Sequence, residues 1–107
     1  MNTGNKNQRK RRDRLYIIAE ILEIAKDGTL KTQIMYKANL SFSQLNEYLN
    51  FLVSLNLLEC KQAGGKTVYK TTEKGIKYLD SYKEILQLLK NTKNNVKKLP
   101  INYINNL

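Results

Sequence analysis

Polar side chains recur on one face of a predicted helix over residues 41–55, and they can form hydrogen bonds with bases. The face comprises Ser43, Asn46, Glu47, Asn50 and Ser54, with Gln44 at its edge. Asn and Gln amides can pair with an adenine edge through two hydrogen bonds, but this face carries no Arg or Lys to read guanine. Glu47 either accepts a hydrogen bond from a cytosine amino group or orients a neighbouring Lys. We expect base contacts here without a guarantee of strong sequence specificity.

Positive charge is concentrated outside this segment. The chain has 19 Lys and Arg against 9 Asp and Glu, a net charge of +10. Residues 1–14 carry +5, residues 15–60 carry −2, residues 61–91 carry +4 and residues 92–107 carry +3. This balance indicates a polyanionic partner. The cations predicted to contact phosphate are Arg9, Lys10, Arg11, Arg12, Arg14, Lys31, Lys37, Lys61, Lys66 and Lys70. Tyr36 has two readings, either a hydroxyl contact to phosphate or half-buried packing.

Several kinds of chemistry are disfavoured by what the sequence lacks. His is absent and Cys60 is the single cysteine, so the usual zinc site and the commonest general base are missing. We therefore expect no enzyme activity, no metal and no cofactor, and we expect Cys60 to be a small buried hydrophobe. The polar, basic start and the lack of a long apolar run predict a cytoplasmic protein that does not enter a membrane.

The first part of the chain is predicted to form two helices joined by a short link. Apolar residues at helical spacing predict a core helix over residues 13–27. Residues 29–31 are then extended, and Thr32 is the predicted N-cap of a short helix over residues 33–38. Asn39 is suited to the left-handed turn that ends this helix.

The polar face described above belongs to the next helix. Ser41 and Gln44 form a predicted capping box in front of it, and Asn56 ends it. Its apolar stripe runs through Leu45, Tyr48, Leu49, Leu52, Val53 and Leu55. The stripe predicts which side packs on the core, and so which side is available to a partner.

A hairpin is predicted to follow this helix. Residues 57–62 and 67–71 are prone to form strands, and Gly64 with Gly65 between them is typical of a tight turn. The face predicted to cover the core carries Leu58, Cys60, Val68 and Thr71, which leaves Lys61, Lys66 and Lys70 to solvent. Helix, turn, helix and hairpin is the order of a winged helix-turn-helix domain. The fold class is therefore predicted as α+β, mainly α, with a three-helix core and a two-stranded wing.

A long helix is predicted over residues 72–91. Its apolar residues alternate by three and four, the spacing of a coiled-coil seam, at Ile76, Leu79, Tyr82, Leu86 and Leu89. A homodimer paired through residues 76–90 is favoured, and the alternative is that the stripe folds back on the chain's own core. The predicted organisation is a flexible basic arm at 1–12, a winged helix domain at 13–71, this helix, and an Asn-rich tail at 92–107.

Four segments, spread over roughly residues 14–90, carry a resemblance to a known family. RLYIIAEIL at residues 14–22 and KTQIMYKANLS at residues 31–41 resemble a large family of small archaeal winged-helix proteins. GKTVY at residues 65–69 and TTEKG at residues 71–75 look like the wing and the helix entry of the same family. The resemblance implies a DNA-binding domain, as found in transcription regulators and in dimeric chromatin-type proteins whose last helix pairs as an antiparallel coiled coil. It implies that Lys66 lies at the wing tip. It implies that the recognition helix carries Ser41, Ser43, Gln44, Asn46, Glu47 and Asn50.

These observations predict a homodimeric protein that binds double-stranded DNA. The recognition helix would enter the major groove, while the wing and the arm contact the phosphate backbone. The alternative is a protein-docking adaptor of the transcription machinery, because residues 15–60 are slightly acidic and Glu47 lies on the key face. RNA is a lesser option, since the paired stacking aromatics of common RNA-binding modules are missing.

Overall fold

The computed structural model describes residues 12–91, so the predicted tail and the arm up to residue 11 lie outside the described residues. That range contains four helices and three strands. In chain order they are α1 (Arg14–Ile24), β1 (Thr29–Leu30), α2 (Lys31–Ala38), α3 (Phe42–Ser54), β2 (Leu58–Ala63), β3 (Lys66–Thr71) and α4 (Glu73–Asn91). This order confirms the predicted winged helix.

Helix α1 forms the centre of the core. Asp13 is its N-cap, and the Asp13 carboxylate accepts a hydrogen bond from the Tyr16 backbone N–H at 2.8 Å. Its buried residues are Ile18, Ala19, Ile21 and Leu22. Leu15 has the helical spacing of these residues, but it lies in the first turn, before the buried residues begin, and it is exposed. The helix ends at Ile24, earlier than predicted.

The turn between α2 and α3 follows the sequence prediction closely. Asn39 adopts the left-handed conformation with φ 56°. The Ser41 hydroxyl accepts a hydrogen bond from the Gln44 N–H at 3.1 Å, and the Gln44 side chain accepts one from the Ser41 N–H at 3.0 Å. The prediction of Thr32 as N-cap was wrong. Helix α2 begins at Lys31 because Leu30, paired with β3, already supplies the extended residue before the helix.

The three strands form an antiparallel sheet in the order β1-β3-β2. Strand β1 lies where only an extended link was predicted. Gly64 and Gly65 both have positive φ, 59° and 77°, as the tight turn between β2 and β3 requires.

The predicted core face of the hairpin was wrong at two positions. Leu58 pairs with Thr71 whereas Val68 pairs with Lys61, so Val68 lies on the opposite face from Leu58. Cys60 is on the same face as Leu58, but its side chain is exposed. Leu58 and Thr71 are buried because they lie at the base of the hairpin, whereas Cys60 lies further out along it.

The first half of α4 packs on the protein's own core. Leu79 is 3% exposed, and Ile76 and Tyr82 pack against the same cluster. The Tyr78 hydroxyl donates a hydrogen bond to the Leu15 carbonyl at 2.9 Å, and burial raises the pKa of Tyr78 to about 12. In this half of α4, the alternative prediction is therefore correct: the apolar stripe packs on the chain's own core. Leu79 is therefore not available for the predicted dimer contact, because its side chain is already buried in the protein's own core.

Candidate nucleic-acid interface

Helix α3 presents a continuous polar strip to solvent. Ser43, Glu47 and Asn50 are exposed, and Asn46 is half-buried at the edge of the strip. Three buried leucines on the opposite side fix the rotation of the helix, namely Leu45, Leu49 and Leu52. Because residues three and four apart share a helix face, the four polar side chains follow one ridge. The predicted readout residues of this ridge are therefore brought together.

Ser41 and Gln44, which were also predicted to contact DNA, form the predicted capping box. Their side chains complete the capping box, so the Gln44 carbonyl oxygen is already engaged by the Ser41 N–H. A two-bond contact between Gln44 and adenine would require that cap to open. These two residues therefore hold the N-terminal turn of α3 in position.

Two cations lie beside α3. Arg14, at the start of α1, lines a shallow recess of about 200 Å³ together with Glu47, Tyr48 and Phe51. Lys31, at the start of α2, places its ammonium group 4.8 Å from the centre of the Phe42 ring. Glu47 therefore faces a recess that also contains an Arg, and not the Lys considered from the sequence. The polar strip has one cation at its N-terminal end and another beside its middle.

The wing presents its lysines on a single face. Glu59 pairs with Lys70, and Ala63 pairs with Lys66, so strand alternation puts Lys61, Lys66 and Lys70 on the same side. All three are exposed. Lys61 lies 3.6 Å from the Glu59 carboxylate, which compensates part of its charge. The positive charge of this face is therefore strongest toward the tip, at Lys66.

Other predicted phosphate contacts lie elsewhere. The Arg12 guanidinium is 2.6 Å from the Glu20 carboxylate and also donates to the Asn39 carbonyl at 3.3 Å. Arg12 is thus held by the folded domain, in contrast to the predicted flexible arm. Lys37 lines a groove between α1 and α4, away from the α3 strip. The other arm cations predicted to contact phosphate lie outside the described residues, namely Arg9, Lys10 and Arg11.

The groove between α1 and α4 is a second surface feature. Its volume is about 390 Å³, and apolar side chains dominate its walls, including Tyr16, Ile24, Leu79, Tyr82 and Leu86. Lys83 bridges its rim through a 3.2 Å ion pair with Glu23. Beyond the groove α4 continues past the core, and Ile85 and Leu86 are 51% and 40% exposed. An apolar surface therefore runs from the groove onto the projecting half of α4.

Exposed aromatic side chains near α3 include Tyr36, for which the sequence left two readings, and Phe42, which had no predicted role. Tyr36 is 86% exposed, which excludes the packing alternative. Phe42 is 61% exposed although it is the first residue of α3. By spacing alone Phe42 belongs to the stripe of Leu45, Leu49 and Leu52, so its exposure could not be predicted from the sequence.

Two further observations concern residues 12–91. No group of three His, Cys, Asp or Glu side chains in this range is placed to hold a metal ion. No helix in this range is long and apolar enough to cross a membrane. The cytoplasmic location and the lack of a cofactor stay predictions.

Comparison with known proteins gives matches over most of the chain. A sequence model of the family described as winged helix-turn-helix matches residues 11–100. An uncharacterized protein of Methanocaldococcus jannaschii is 35% identical over 89 residues, which cover 82% of this chain and 88% of that protein.

Solved structures of two proteins have the same fold. Sso10a-2, a DNA-binding protein from Sulfolobus solfataricus, superposes with a TM-score of 0.71 at 24% identity, over 82% of this chain and 93% of that one. MepR, a transcription regulator of the Staphylococcus aureus multidrug efflux pump MepA, superposes with a TM-score of 0.66 at 15% identity, over 90% of this chain and 72% of that one. At these identities the similarity concerns the fold.

Proposed function

Since this chain belongs to the winged helix-turn-helix family, we propose that it is a DNA-binding protein, acting as a transcription regulator or a chromatin-type binder. Its activity is binding and not catalysis. The observation that carries the proposal is the exposed polar strip of α3 with Arg14 and Lys31 beside it. In helix-turn-helix proteins the second helix lies in the major groove. The names of two structural neighbours, a DNA-binding protein and a transcription regulator, support the same conclusion.

Recognition would divide between two kinds of contact. Ser43, Asn46 and Asn50 would face base edges, and Asn is suited to adenine. The wing lysines would contact phosphate, which positions the protein on the duplex without reading sequence. Lys31 and Arg14 would hold the backbone on either side of the groove that α3 occupies.

We expect removal of the wing charge to weaken binding to all sequences alike. Replacing both Lys66 and Lys70 by Ala removes two phosphate contacts, so the slope of log affinity against log salt should become shallower by about 2. The measurement is fluorescence anisotropy on two unrelated duplexes at several salt concentrations. The matched comparison is Asn50→Ala, which should change the preference between duplexes and leave the salt slope unchanged.

Two results would count against this proposal. An unchanged slope in the double variant would show that the wing lysines do not contact the DNA backbone. Absence of binding by the unaltered protein, even at low salt, would instead favour the protein-docking adaptor.

The same fold suits a homodimer, formed by the surface that runs from the groove onto the projecting half of α4. Ile85 and Leu86 extend beyond the protein's own core, and the groove lies directly beside them. In a two-fold dimer the exposed α4 segment of each protomer would lie against the groove of its partner. Such an arrangement would bury both apolar surfaces at once and fix the distance between the two α3 helices.

We expect Ile85→Lys together with Leu86→Lys to convert a dimer into a monomer, since two buried charges would oppose the apolar contact. Sedimentation velocity gives the mass directly. Gln87→Lys is the matched control, because it adds charge to the same exposed turn without removing an apolar group. An unaltered protein that sediments as a monomer, or a double variant that stays dimeric, would exclude this interface.

A further inference from the structure

Phe42 is a large apolar side chain at the N-terminal end of α3, and it is 61% exposed. Its backbone position is fixed, because it lies inside the capping box formed by Ser41 and Gln44. Its ring is held from outside the helix, since the Lys31 ammonium lies 4.8 Å from the ring centre. The ring is thus presented to solvent, in contact with Lys31, and does not close the core.

The neighbours of Phe42 define the surroundings in which it would work. Asn46 lies one helical turn further along, and Asn50 follows a turn after that. Helix α3 contains no Arg or Lys over its whole length, so the commonest contact to guanine is missing. Amide groups suited to adenine therefore lie on the strip, and one aromatic ring lies beside its Asn46 edge.

In helix-turn-helix proteins the N-terminal residues of the recognition helix contact base edges. A phenyl ring offers no hydrogen bond, and the apolar group that the major groove displays is the 5-methyl group of thymine. We propose that Phe42 packs against a thymine methyl group and makes the protein prefer A·T pairs at that position. This inference rests on the proposed function of DNA binding. Lys31 then serves two purposes, because it orients the ring and carries positive charge toward the adjacent backbone.

The size of the effect follows from the burial of one methyl group. Removing a methyl from water against an aromatic ring should change affinity by about fourfold for each contact made. A dimer that places both α3 helices on the DNA would make this contact twice. The contribution is modest compared with the phosphate contacts, but it depends on sequence.

The test uses a duplex of alternating A·T pairs and the same duplex with deoxyuridine in place of thymine. The two probes have the same pairing groups and differ in the 5-methyl group. We expect the unaltered protein to bind the deoxyuridine duplex about fourfold more weakly per contact. Phe42→Ala should bind both duplexes equally. Lys66→Ala is the matched control, which should weaken binding to both and keep the preference for thymine.

The outcomes separate this inference from the proposed function. Equal binding of the two duplexes by the unaltered protein would overturn the role of Phe42 while leaving DNA binding intact. A preference for thymine that persists in Phe42→Ala would also overturn it, because the effect would then come from duplex shape. Failure to bind either duplex at low salt would contradict DNA binding itself. Thermal melting of Phe42→Ala checks that the variant is folded, as expected for an exposed residue.

Discussion

The affinity of this protein for duplex DNA is expected to fall about a thousandfold between about 50 and 200 mM salt. This estimate assumes that one protomer neutralises about six phosphates. Each neutralised phosphate releases a condensed counterion, so six contacts give a slope near −5 in log affinity against log salt. The candidate cations include Arg14, Lys31, Lys61, Lys66 and Lys70 among the described residues, with the basic arm as a further source.

The structure also sets limits on this slope. Arg12 and Lys61 lie beside Glu20 and Glu59, so a phosphate would have to compete with an existing ion pair at each. A protomer that used the wing tip and the α3 flanks alone would give a shallower slope. Anisotropy titrations with a random-sequence duplex at five or six salt concentrations measure the value directly. A slope near zero would refute electrostatic capture, whatever the affinity at low salt.

Deletion of residues 1–11 separates the two sources of charge. If the arm supplies phosphate contacts, the truncated protein should show a smaller slope with the same preference between sequences. If the slope is unchanged, the folded domain supplies all the contacts. The deletion stops before Arg12, because Arg12 binds Glu20 and the Asn39 carbonyl and its loss would disturb the domain.

The features that the sequence predicted correctly are those that depend on near neighbours. The capping box of Ser41 and Gln44 spans three residues, the left-handed turn at Asn39 is local, and the Gly64 and Gly65 turn follows from φ preferences. Apolar spacing also indicated which side of α3 is buried as far as Leu52, but it was wrong for Val53 and Leu55, which lie at the C-terminal end of the helix and are exposed. These signals were sufficient for the winged helix and for the polar strip.

The features that the sequence missed depend on distant partners. The pairing of Thr29 with Tyr69 creates β1, and the pairing of Lys61 with Val68 decides which face Val68 occupies. A one-residue difference in register reverses every side chain of a strand, so a short hairpin pattern cannot decide the face.

The prediction for α4 failed in part for a related reason. Apolar residues at positions 76, 79 and 82 have the same spacing whether they pack against a partner or against the chain's own α1. The buried side chain of Leu79 shows that the first half covers α1. Arg12 was misread similarly, because its ion pair with Glu20 depends on how the chain enters α1.

Gly75→Ala is expected to destabilise the fold by about 2 kcal/mol or more, the range of overpacked cores. Glycine at this position is required by space, since it lies in α4 where alanine would ordinarily be favoured. A Cβ atom there would lie 2.4 Å from the Leu57 carbonyl oxygen and 2.5 Å from the Thr71 Cγ2 atom. One of these elements would have to move.

Neither Leu57 nor Thr71 can move easily to make room for the added Cβ atom. The Leu57 carbonyl accepts a hydrogen bond from the Thr72 N–H at 3.1 Å, so moving α4 outward strains the junction between the wing and the helix. Thr71 is buried, its hydroxyl donates to the Leu22 carbonyl at 2.6 Å, and its N–H donates to the Ala25 carbonyl at 3.0 Å. A shift of Thr71 would leave the last carbonyls of α1 without these partners in the core.

Thermal unfolding measures the effect. For a domain of this size, 2 kcal/mol corresponds to a fall of roughly 10 °C in the melting temperature. Ser81→Ala is the matched control, because it introduces the same residue at an exposed position of the same helix and should leave the melting temperature unchanged or slightly raised. If Gly75→Ala behaves like Ser81→Ala, then α4 does not approach Leu57 as closely as described. The base of the wing would then be held by the hydrogen bonds of Thr71 and by its buried side chains, and the close contact of α4 would not stabilise it.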